Sequence, residues 1–379
     1  MRRSIIVLTG LLLLLLVGAT IVLNPPVYEL QGTKSQLIQK ETKYTYLVES
    51  LSVKDTTRAT PAMGDFEGVD YRELVGKIWM PDIGENVLKE RFPLVIYSHG
   101  FMSFHEESDY LGEFLAQRGY IMVAFDFPAS NFNASGGPNL RDIASQPGDI
   151  SFLIDVLSAR NENPNDSLHQ LINIGKVAIA GLSLGGLTTT LAAYHKELRD
   201  ERIGAAISIA GPMSFFNKSY FETTDVPLMY IAGSIDAMVN YNANVTTLKE
   251  KMNDVIVVTI ANGSHTGFAD ISEKIFRWNN NPDDVGCSFL LDHVHQSDDN
   301  PFAILGGEDV GISFGNVDTM PCQDMPLPTA IAPGKQLLLT KVAVFSFLES
   351  QFGSNQEALV HKNFLATTFA AENDEIEVK

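Results

Sequence analysis

The stretch Val177-Ala-Ile-Ala-Gly-Leu-Ser-Leu-Gly-Gly-Leu187 joins two different sequence patterns. Val177–Ala180 is a short apolar run typical of a buried strand, whereas Leu187–Leu198 has the apolar spacing of a helix. Only the glycine-rich segment around Ser183 lies between them, so the chain must pass from strand to helix in one tight turn. Such a turn is typical of α/β folds, in which helices pack on a parallel sheet.

The same alternation of patterns extends to both sides of this turn. Continuous apolar runs alternate with amphipathic segments, which indicates a parallel sheet covered by helices on both faces. We therefore predict an α/β fold with a mostly parallel central sheet. The predicted strands are Leu74–Pro81, Pro93–Ser98, Tyr120–Phe127, Val177–Ala180, Ile203–Ala210, Pro227–Ala232 and Val255–Ile260. The predicted helices are Ser108–Arg118, Asp149–Arg160, Leu187–Leu198 and Lys335–Phe352.

Ser183 is the candidate nucleophile. It lies in the pattern Gly181-Leu-Ser-Leu-Gly185, and the tight turn needs residues as small as Gly181 and Gly185 beside it. The turn pushes the hydroxyl out above the sheet, at a helix start whose partial positive charge favours a developing oxyanion. The pattern alone also occurs by chance, but between a strand and a helix it indicates catalysis rather than a structural turn.

A serine hydroxyl is a poor nucleophile until a base takes its proton. His265 is the candidate base because it follows the strand Val255–Ile260, in a loop at the carboxyl end of a late strand, where this kind of fold presents its base. The other histidines weighed are His195, at the end of a helix, and His293 and His295, in an irregular segment. A hydrogen-bonded loop histidine is the structural alternative for His265.

The base in turn needs a carboxylate that orients the imidazole and stabilises its positive charge. Asp236 is the candidate acid, because it follows the strand Pro227–Ala232 and precedes His265 in the chain. Asp225 and Asp254 come before strands and would lie at the wrong edge of the sheet.

The negative oxygen that forms when such a nucleophile attacks a carbonyl group needs backbone N–H donors placed in advance. We expect one donor to be Leu184 N–H, directly after the nucleophile. The second should come from the loop after the strand Pro93–Ser98, where Phe101 N–H is the candidate and Met102 N–H the alternative. His99 in the same loop is expected to brace it rather than to act as a base.

Together these residues resemble the α/β-hydrolase superfamily, in particular the branch of dienelactone-hydrolase-like proteins, platelet-activating-factor acetylhydrolases and cutinase-like polyester hydrolases. The resemblance spans residues 71–270 and the terminal helix. It implies a metal-independent esterase or lipase-like activity without a cofactor, and oxyanion donors at Phe101 and Leu184. The chain departs from the pattern in the segment after His265, which leaves the substrate class open. The matching pieces are Tyr97-Ser-His-Gly-Phe101, Gly119-Tyr120 with Asp126, Gly181-Leu-Ser-Leu-Gly-Gly186, Ala232-Gly-Ser-Ile-Asp236 and Gly263-Ser-His265.

The N-terminal residues predict export from the cytoplasm. Arg2 and Arg3 precede an apolar run over residues 5–23, which is the pattern of a signal sequence. The run is also long enough to span a bilayer, so a cleaved signal and a retained membrane anchor both stay open. In either case we expect the rest of the chain to lie outside the cytoplasm, in the periplasm, secreted or anchored.

Residues 278–333 lose the regular pattern and contain both cysteines of the chain, Cys287 and Cys322. In an oxidising compartment an isolated pair is readily a disulfide, with two separate thiols as the alternative. Closing a loop of about 35 residues would stabilise the fold by roughly 4 kcal/mol in the chain-entropy model. We expect the bond to hold this surface insertion rather than the catalytic residues.

One further pattern in this insertion is weaker. Asp292-His293-Val-His295, with Asp298 and Asp299 nearby, has side chains that could ligate a metal. A His-x-His pair in a polar loop is a poor indicator of a metal site, so no metal is predicted.

The sequence thus predicts an exported serine hydrolase that cleaves small-molecule or lipid-like carboxylic esters through an acyl-enzyme intermediate. An amidase or peptidase with the same triad and a non-catalytic binding protein are the alternatives, and the oligomeric state stays open. The net charge of −19 makes nucleic acid an unfavourable partner. The predicted division is 1–28 signal or anchor, 29–70 N-terminal segment, 71–277 hydrolase core, 278–333 insertion, 334–352 core helix and 353–379 tail.

Overall fold

A computed structural model describes residues 26–84, 91–293, 300–315, 321–323 and 325–379 of the 379-residue chain. The predicted signal or anchor run of residues 5–23 lies outside the described residues. In the described part of the chain, no helix is long and apolar enough to cross a membrane. The strands are β1 (Thr45–Asp55), β2 (Arg72–Asp82), β3 (Phe92–Ser98), β4 (Ile121–Asp126), β5 (Ile172–Leu182), β6 (Ile203–Ile209), β7 (Leu228–Gly233), β8 (Ile256–Ile260) and β9 (Ile376–Val378).

These strands form one sheet in the order β1-β2-β4-β3-β5-β6-β7-β8-β9. The central pairs, from β4–β3 through β7–β8, are parallel. Antiparallel pairs occur only towards the two edges, where β2 joins β1 and β4, and β9 joins β8. The predicted α/β-hydrolase fold with a mostly parallel sheet is confirmed.

Helices connect the strands and cover both faces of the sheet. The α-helices are α1 (Thr33–Lys40), α2 (Asp109–Ala116), α3 (Gln146–Glu162), α4 (Leu184–Tyr194), α5 (Lys218–Phe221), α6 (Tyr241–Val245), α7 (Leu248–Lys251), α8 (Asp283–His293), α9 (Pro333–Phe352), α10 (Asn355–Asn363) and α11 (Phe369–Glu372). The 3₁₀ turns are His105–Ser108, Leu140–Ala144, Thr266–Phe268, Pro301–Leu305 and Glu308–Val310, and the π turns are Ser272–Phe276 and Phe364–Thr368.

The core consists of two apolar clusters, one on each face of the sheet. Successive side chains of a strand point to opposite faces, so Val177 and Ile179 of β5 join one cluster while Ala178 and Ala180 join the other. Helices α3 and α4 pack on the first face, and α2 and α9 pack on the second. This explains why the strands read as continuous apolar runs in the sequence.

The chain has two tryptophans in contrasting surroundings. Trp79 of β2 is 1% exposed. Helix α2 approaches it so closely that a Cβ added at Gly112 would lie 2.4 Å from the indole ring. Trp278, by contrast, is 63% exposed and lies under the guanidinium of Arg277 at the start of the insertion.

The sheet begins earlier than predicted. We expected its first strand at Leu74–Pro81, but β1 comes before it and pairs with β2 along its whole length. Most of the β1 side chains are partly or fully exposed, because this strand forms the edge of the sheet. It therefore lacks the apolar run that marks a buried strand in a sequence.

The predicted tail, residues 353–379, is part of the folded molecule. Residues 353–379 contain α10 and α11 and end in β9, which pairs with β8. The carboxylate of Glu372 accepts hydrogen bonds from Lys34 N–H and Ser35 N–H in the first turn of α1. Negative charge is stabilised at a helix N-terminus, so at least this acidic residue attaches the tail to the molecule.

The insertion over residues 278–333 is partly regular, since it contains α8 and two 3₁₀ turns among its described residues. Its disulfide is confirmed: Cys287 of α8 is bonded to Cys322, with the two Cα atoms 5.7 Å apart. Asp283, Asp284 and Gly286 weaken the apolar pattern of α8, which explains why the sequence did not indicate this helix.

Candidate active site

Ser183 lies in the turn between β5 and α4. Its backbone has φ 56° and ψ −117°, a conformation that residues with a Cβ rarely adopt. Its N–H donates to Ile209 O of the neighbouring strand over 2.8 Å, which helps to hold the strained turn. The side chain faces the loop after β3, because a Cβ added at Gly100 would lie 3.4 Å from Ser183 Cβ.

The two glycines beside Ser183 are required by close backbone contacts. A Cβ at Gly181 would lie 2.3 Å from Gly185 O, and one at Gly185 would lie 2.0 Å from Ser98 O. Both obstacles are backbone atoms that cannot move aside cheaply. The spacing of the sequence motif therefore reflects how tightly β5, α4 and the end of β3 approach one another.

His265 and Asp236 form a direct pair at the carboxyl edge of the sheet. His265 Nδ1 and Asp236 Oδ2 are 2.7 Å apart, and the two side chains are 6% and 2% exposed. A carboxylate can only accept, so Nδ1 carries the proton and Nε2 keeps its lone pair. The other carboxylate oxygen of Asp236 accepts from Met238 N–H and Val239 N–H, which fixes the acid in its own turn.

The surroundings of His265 favour its protonated form. Burial by itself lowers the pKa of the imidazole, but the negative charges of Asp236, Asp283 and Glu107 outweigh it and raise the pKa of His265 above its ordinary value. A base in such a site becomes an imidazolium at a low energetic cost when it takes a proton.

The turn of Ser183 and the His265–Asp236 pair are linked through the loop after β3. Among the described residues, Ser183 Oγ has no hydrogen-bond partner within 3.5 Å. The two are connected through Gly100, which faces Ser183 and donates its N–H to Glu107, whose charge acts on His265. Hydrogen bonds between nucleophile and base are often long without substrate and shorten when it binds.

The backbone N–H groups of the loop after β3 differ in whether they already have an acceptor. Met102 N–H donates to Ser130 O over 2.9 Å, so it is already occupied. The N–H groups of Phe101 and of Leu184, the first residue of α4, donate to no acceptor within the described ranges. Of the two sequence candidates, Phe101 is therefore the one that the structure leaves free beside the Ser183 turn.

His99 braces this loop. Its ring lies 1% exposed between two backbone groups, with Nδ1 2.7 Å from Gly100 O and Nε2 accepting from Phe127 N–H over 2.9 Å. Both ring nitrogens are occupied, so His99 has no free nitrogen to act as a base.

Asp283 is a site residue that the sequence did not indicate. It begins α8 and is fully buried. Its carboxylate accepts from His265 N–H over 2.9 Å, from Thr266 N–H over 2.6 Å and from Ala237 N–H over 3.1 Å. The run Asn281-Pro-Asp-Asp284 is a recognisable helix start, but nothing in it indicates these distant partners.

Glu107 is a second buried carboxyl group that the sequence did not indicate. It is 3% exposed, and its Oε1 accepts from Gly100 N–H over 3.0 Å and from Tyr97 Oη over 3.1 Å. Burial raises the pKa of Glu107 to about 7, although hydrogen bonds from Ser103, Gly100 and Tyr97 act in the opposite direction. Glu107 therefore supports the loop that carries Phe101.

The remaining histidine candidates do not join this site. His195 is buried at the end of α4, where its Nε2 lies 3.0 Å from Leu305 O. His293 ends α8, but its side chain and His295 lie outside the described residues. Within the described ranges, no group of three or more His, Cys, Asp or Glu side chains is arranged to hold a metal ion.

Comparison with known families indicates the class of reaction. The sequence matches the PET hydrolase-like family over residues 75–279, which is more than half of the chain. The chain belongs to this family. Membership of the PET hydrolase-like family indicates a carboxylic ester hydrolase, and it confirms the α/β-hydrolase superfamily that the sequence motifs resemble.

A solved structure supports the fold of this PET hydrolase-like chain. A ferulic acid esterase from Streptomyces cinnamoneus superposes with a TM-score of 0.51 at 16% sequence identity, covering 82% of this chain and 91% of the esterase. At this identity the likeness concerns the fold alone. No curated protein matches the sequence significantly.

Proposed function

We propose that the chain is an exported serine esterase with Ser183 as nucleophile, His265 as base and Asp236 as orienting acid. The observation that carries the proposal is the buried pair of His265 Nδ1 and Asp236 Oδ2, which leaves Nε2 free to take a proton. The strained Ser183 at a helix start supports the proposal further, as do the N–H groups of Phe101 and Leu184, which donate to no acceptor in the described part of the chain. Nucleophile, base, orienting acid and oxyanion donors are the parts that acyl transfer needs.

In the first half of the reaction, Ser183 Oγ bonds to the ester carbonyl carbon and its proton moves to His265 Nε2. The carbonyl oxygen becomes negative and accepts hydrogen bonds from Phe101 N–H and Leu184 N–H. Each such donor is worth about 100- to 1000-fold in rate. The intermediate then expels the alkoxide, which takes the proton from His265 and leaves as the alcohol.

In the second half, a water molecule attacks the acyl-enzyme. His265 Nε2 takes a proton from this water as its oxygen bonds to the acyl carbon, and it returns the proton to Ser183 Oγ as the acid leaves. Asp236 keeps the imidazole oriented and stabilises its charged form in both halves. Every proton and negative charge is accounted for by the chain's own groups, so the proposed mechanism is metal-independent, and EDTA should leave the rate unchanged.

Export rests on the sequence of residues 1–28, with Arg2 and Arg3 before an apolar run. The Cys287–Cys322 disulfide supports it, because such bonds persist in oxidising compartments. Fractionation of producing cells tests the proposal. Enzyme found with reduced cysteines in the cytoplasm would contradict it.

The nucleophile is tested with Ser183→Ala. We expect ester turnover to fall by roughly four to six orders of magnitude, since the loss of a triad member costs about that much. A fluorophosphonate probe should label the wild type and leave Ser183→Ala unlabelled. Ser158→Ala is the control, because within the described residues this hydroxyl donates only to Ile154 O of the same helix, α3. Substantial activity in a folded Ser183→Ala protein would exclude Ser183 as the nucleophile.

The bond type is tested with matched p-nitrophenyl esters and p-nitroanilides. Esters should be cleaved much faster, because p-nitrophenoxide leaves without a proton, whereas the anilide nitrogen must be protonated before it leaves. Faster cleavage of the anilides would favour the amidase alternative with the same triad.

A further inference from the structure

Asp283 joins the two loops that carry the proposed acid and base. Asp236 and His265 follow different strands, β7 and β8. Asp283 Oδ2 accepts from Ala237 N–H, directly after the acid, and from His265 N–H itself. Its Oδ1 accepts from Thr266 N–H, directly after the base.

The helix that presents Asp283 is fitted closely to both loops. A Cβ added at Gly286 would lie 2.3 Å from Met238 Cε of the acid loop and 2.4 Å from Thr266 Oγ1 of the base loop. One turn after Asp283, Cys287 is bonded to Cys322, whose N–H donates to Ala237 O over 2.7 Å. The insertion therefore contacts the acid loop at two points, Gly286 and Cys322.

Three carboxyl groups face His265 from three different elements. Asp236 comes from the loop after β7, Asp283 from α8 and Glu107 from the turn before α2. The charges of all three raise the pKa of His265 against the opposing effect of burial. Asp283 itself is buried, and burial together with the charge of Asp236 raises its own pKa.

Resting on the function proposed above, we infer that Asp283 is a positioning residue of the reaction, which fixes the His265–Asp236 pair and stabilises the imidazolium. The carboxylate acts through three backbone hydrogen bonds and through its charge, and it never touches the substrate. A misplacement of the base by about 1 Å costs on the order of 100-fold in rate. Hydrogen bonds that hold the base in place, as those of Asp283 do, therefore have a large effect on turnover.

Asp283→Asn tests the inference, because it removes the charge and nearly keeps the shape of the side chain. We expect kcat for p-nitrophenyl acetate to fall about 10- to 100-fold with little change in KM. The acid limb of the pH profile of kcat/KM should move to lower pH. Asp284→Asn is the matched control, since it removes the same charge from the exposed neighbouring position and should change neither quantity.

Glu107 also titrates near this range, with a pKa raised to about 7. The profiles are therefore recorded again in the Glu107→Gln background. The displacement of the acid limb by Asp283→Asn should persist there. Asp283→Glu, which keeps the charge, should leave the limb where the wild type has it.

A measurement without substrate separates this inference from the proposed function. The ring of His265 is titrated by NMR in Ser183→Ala, with and without Asp283→Asn, and the second substitution should lower the pKa of the imidazole. This readout holds even if the wild type cleaves no ester and reacts with no fluorophosphonate, a result that would overturn the proposed function alone.

A purely structural role would give a different result. An unchanged His265 titration, with activity lost only in proportion to folded protein, would overturn the inference. If Asp283→Asn fails to fold, Gly286→Ala is used instead, because it displaces α8 from the two loops and with it the Asp283 carboxylate, whose charge is kept. A folded Gly286→Ala protein with the wild-type kcat and the wild-type acid limb would equally contradict it.

Discussion

Glu107 carries an ionisable group into the interior, directly beneath the loop that presents Phe101. Its pKa is raised from the ordinary 4.5 to about 7, because burial disfavours the ionised form. Between these values the folded protein keeps the proton that the unfolded chain has already lost. The free energy of unfolding must therefore decrease as the pH rises through this window.

Glu107→Gln should abolish this part of the pH dependence. At about 1.4 kcal/mol for each pKa unit, the wild type should lose roughly 3 kcal/mol between pH 4.5 and pH 8 through this group. Urea denaturation of both proteins at several pH values gives the difference. Glu162→Gln, at the exposed end of α3, is the control. If the free energy of unfolding depends on pH in the same way in the wild type and in Glu107→Gln, the prediction is contradicted.

His265 and the histidines outside the site should respond differently to substitution. His265→Ala is expected to be about as damaging as Ser183→Ala, because the proton of the hydroxyl then has no acceptor. His293→Ala and His295→Ala should be mild. Steady-state kinetics of the three variants, with and without EDTA, check this. Loss of activity in the insertion variants but not in His265→Ala would refute the assignment.

The sequence was sufficient to predict the pairing of His265 with Asp236, because chain order and strand ends constrain these residues. It was insufficient for Asp283 and Glu107. Their role depends on which backbone N–H groups lie opposite a buried carboxylate, and such partners leave no pattern in a sequence. The choice between Phe101 and Met102 likewise needed the structure, since it depends on which N–H already has an acceptor.

At the level of elements, β2 and α3 are joined by a buried ion pair. Arg72 and Asp149 are both fully buried and form two hydrogen bonds, of 2.7 and 2.6 Å. Arg58 adds a further bond to the same carboxylate over 2.8 Å. The first face of the sheet thus contains a charged contact within an otherwise apolar layer.

Asp149→Ala should destabilise the protein by about 3 kcal/mol, because it removes two hydrogen bonds from the buried guanidinium of Arg72 and leaves it with Asp142, 3.0 Å away, as its buried carboxylate partner. Asp155→Ala removes a carboxylate from the same helix, at a position 67% exposed, and should cost about 1 kcal/mol or less. Urea denaturation at one pH compares the two. Equal losses of unfolding free energy in the two variants would show that the buried ion pair stabilises the protein no more than an exposed one.

Helix boundaries were harder to predict than the helices themselves. Helix α4 was expected from Leu187 but begins at Leu184, because Gly185 and Gly186 are poor helix formers that tight packing nevertheless requires. A Cβ at Gly186 would lie 2.8 Å from Ser208 Oγ of β6. Tertiary contact overrides the intrinsic preference at this position.

For the whole molecule, the disulfide differs from its sequence expectation. We expected it to hold only the surface insertion, but Cys322 N–H bonds to Ala237 O and α8 carries Asp283. The position of the insertion on the fold could not be predicted from the sequence, because its contacts join parts of the chain that are far apart in sequence. The part of the chain that the bond closes therefore contacts the loops that carry Asp236 and His265.

Reduction of Cys287–Cys322 should lower kcat together with stability, instead of stability first. The chain-entropy model gives a loss of about 4 kcal/mol in the free energy of unfolding for a loop of this length. Activity at moderate temperature and thermal unfolding are measured before and after reduction, and in Cys287→Ser/Cys322→Ser. Full activity in a reduced protein with a lowered Tm would restore the original expectation.

The contrast between Trp79 and Trp278 gives the molecule two optical reporters. An indole enclosed by apolar side chains emits at shorter wavelength and is shielded from acrylamide, whereas an indole in water emits further to the red and is quenched. Trp79 should therefore report on the sheet, and Trp278 on the start of the insertion. With Trp278→Phe and Trp79→Phe, intrinsic fluorescence can follow loosening of the insertion separately from unfolding of the core, without any added dye.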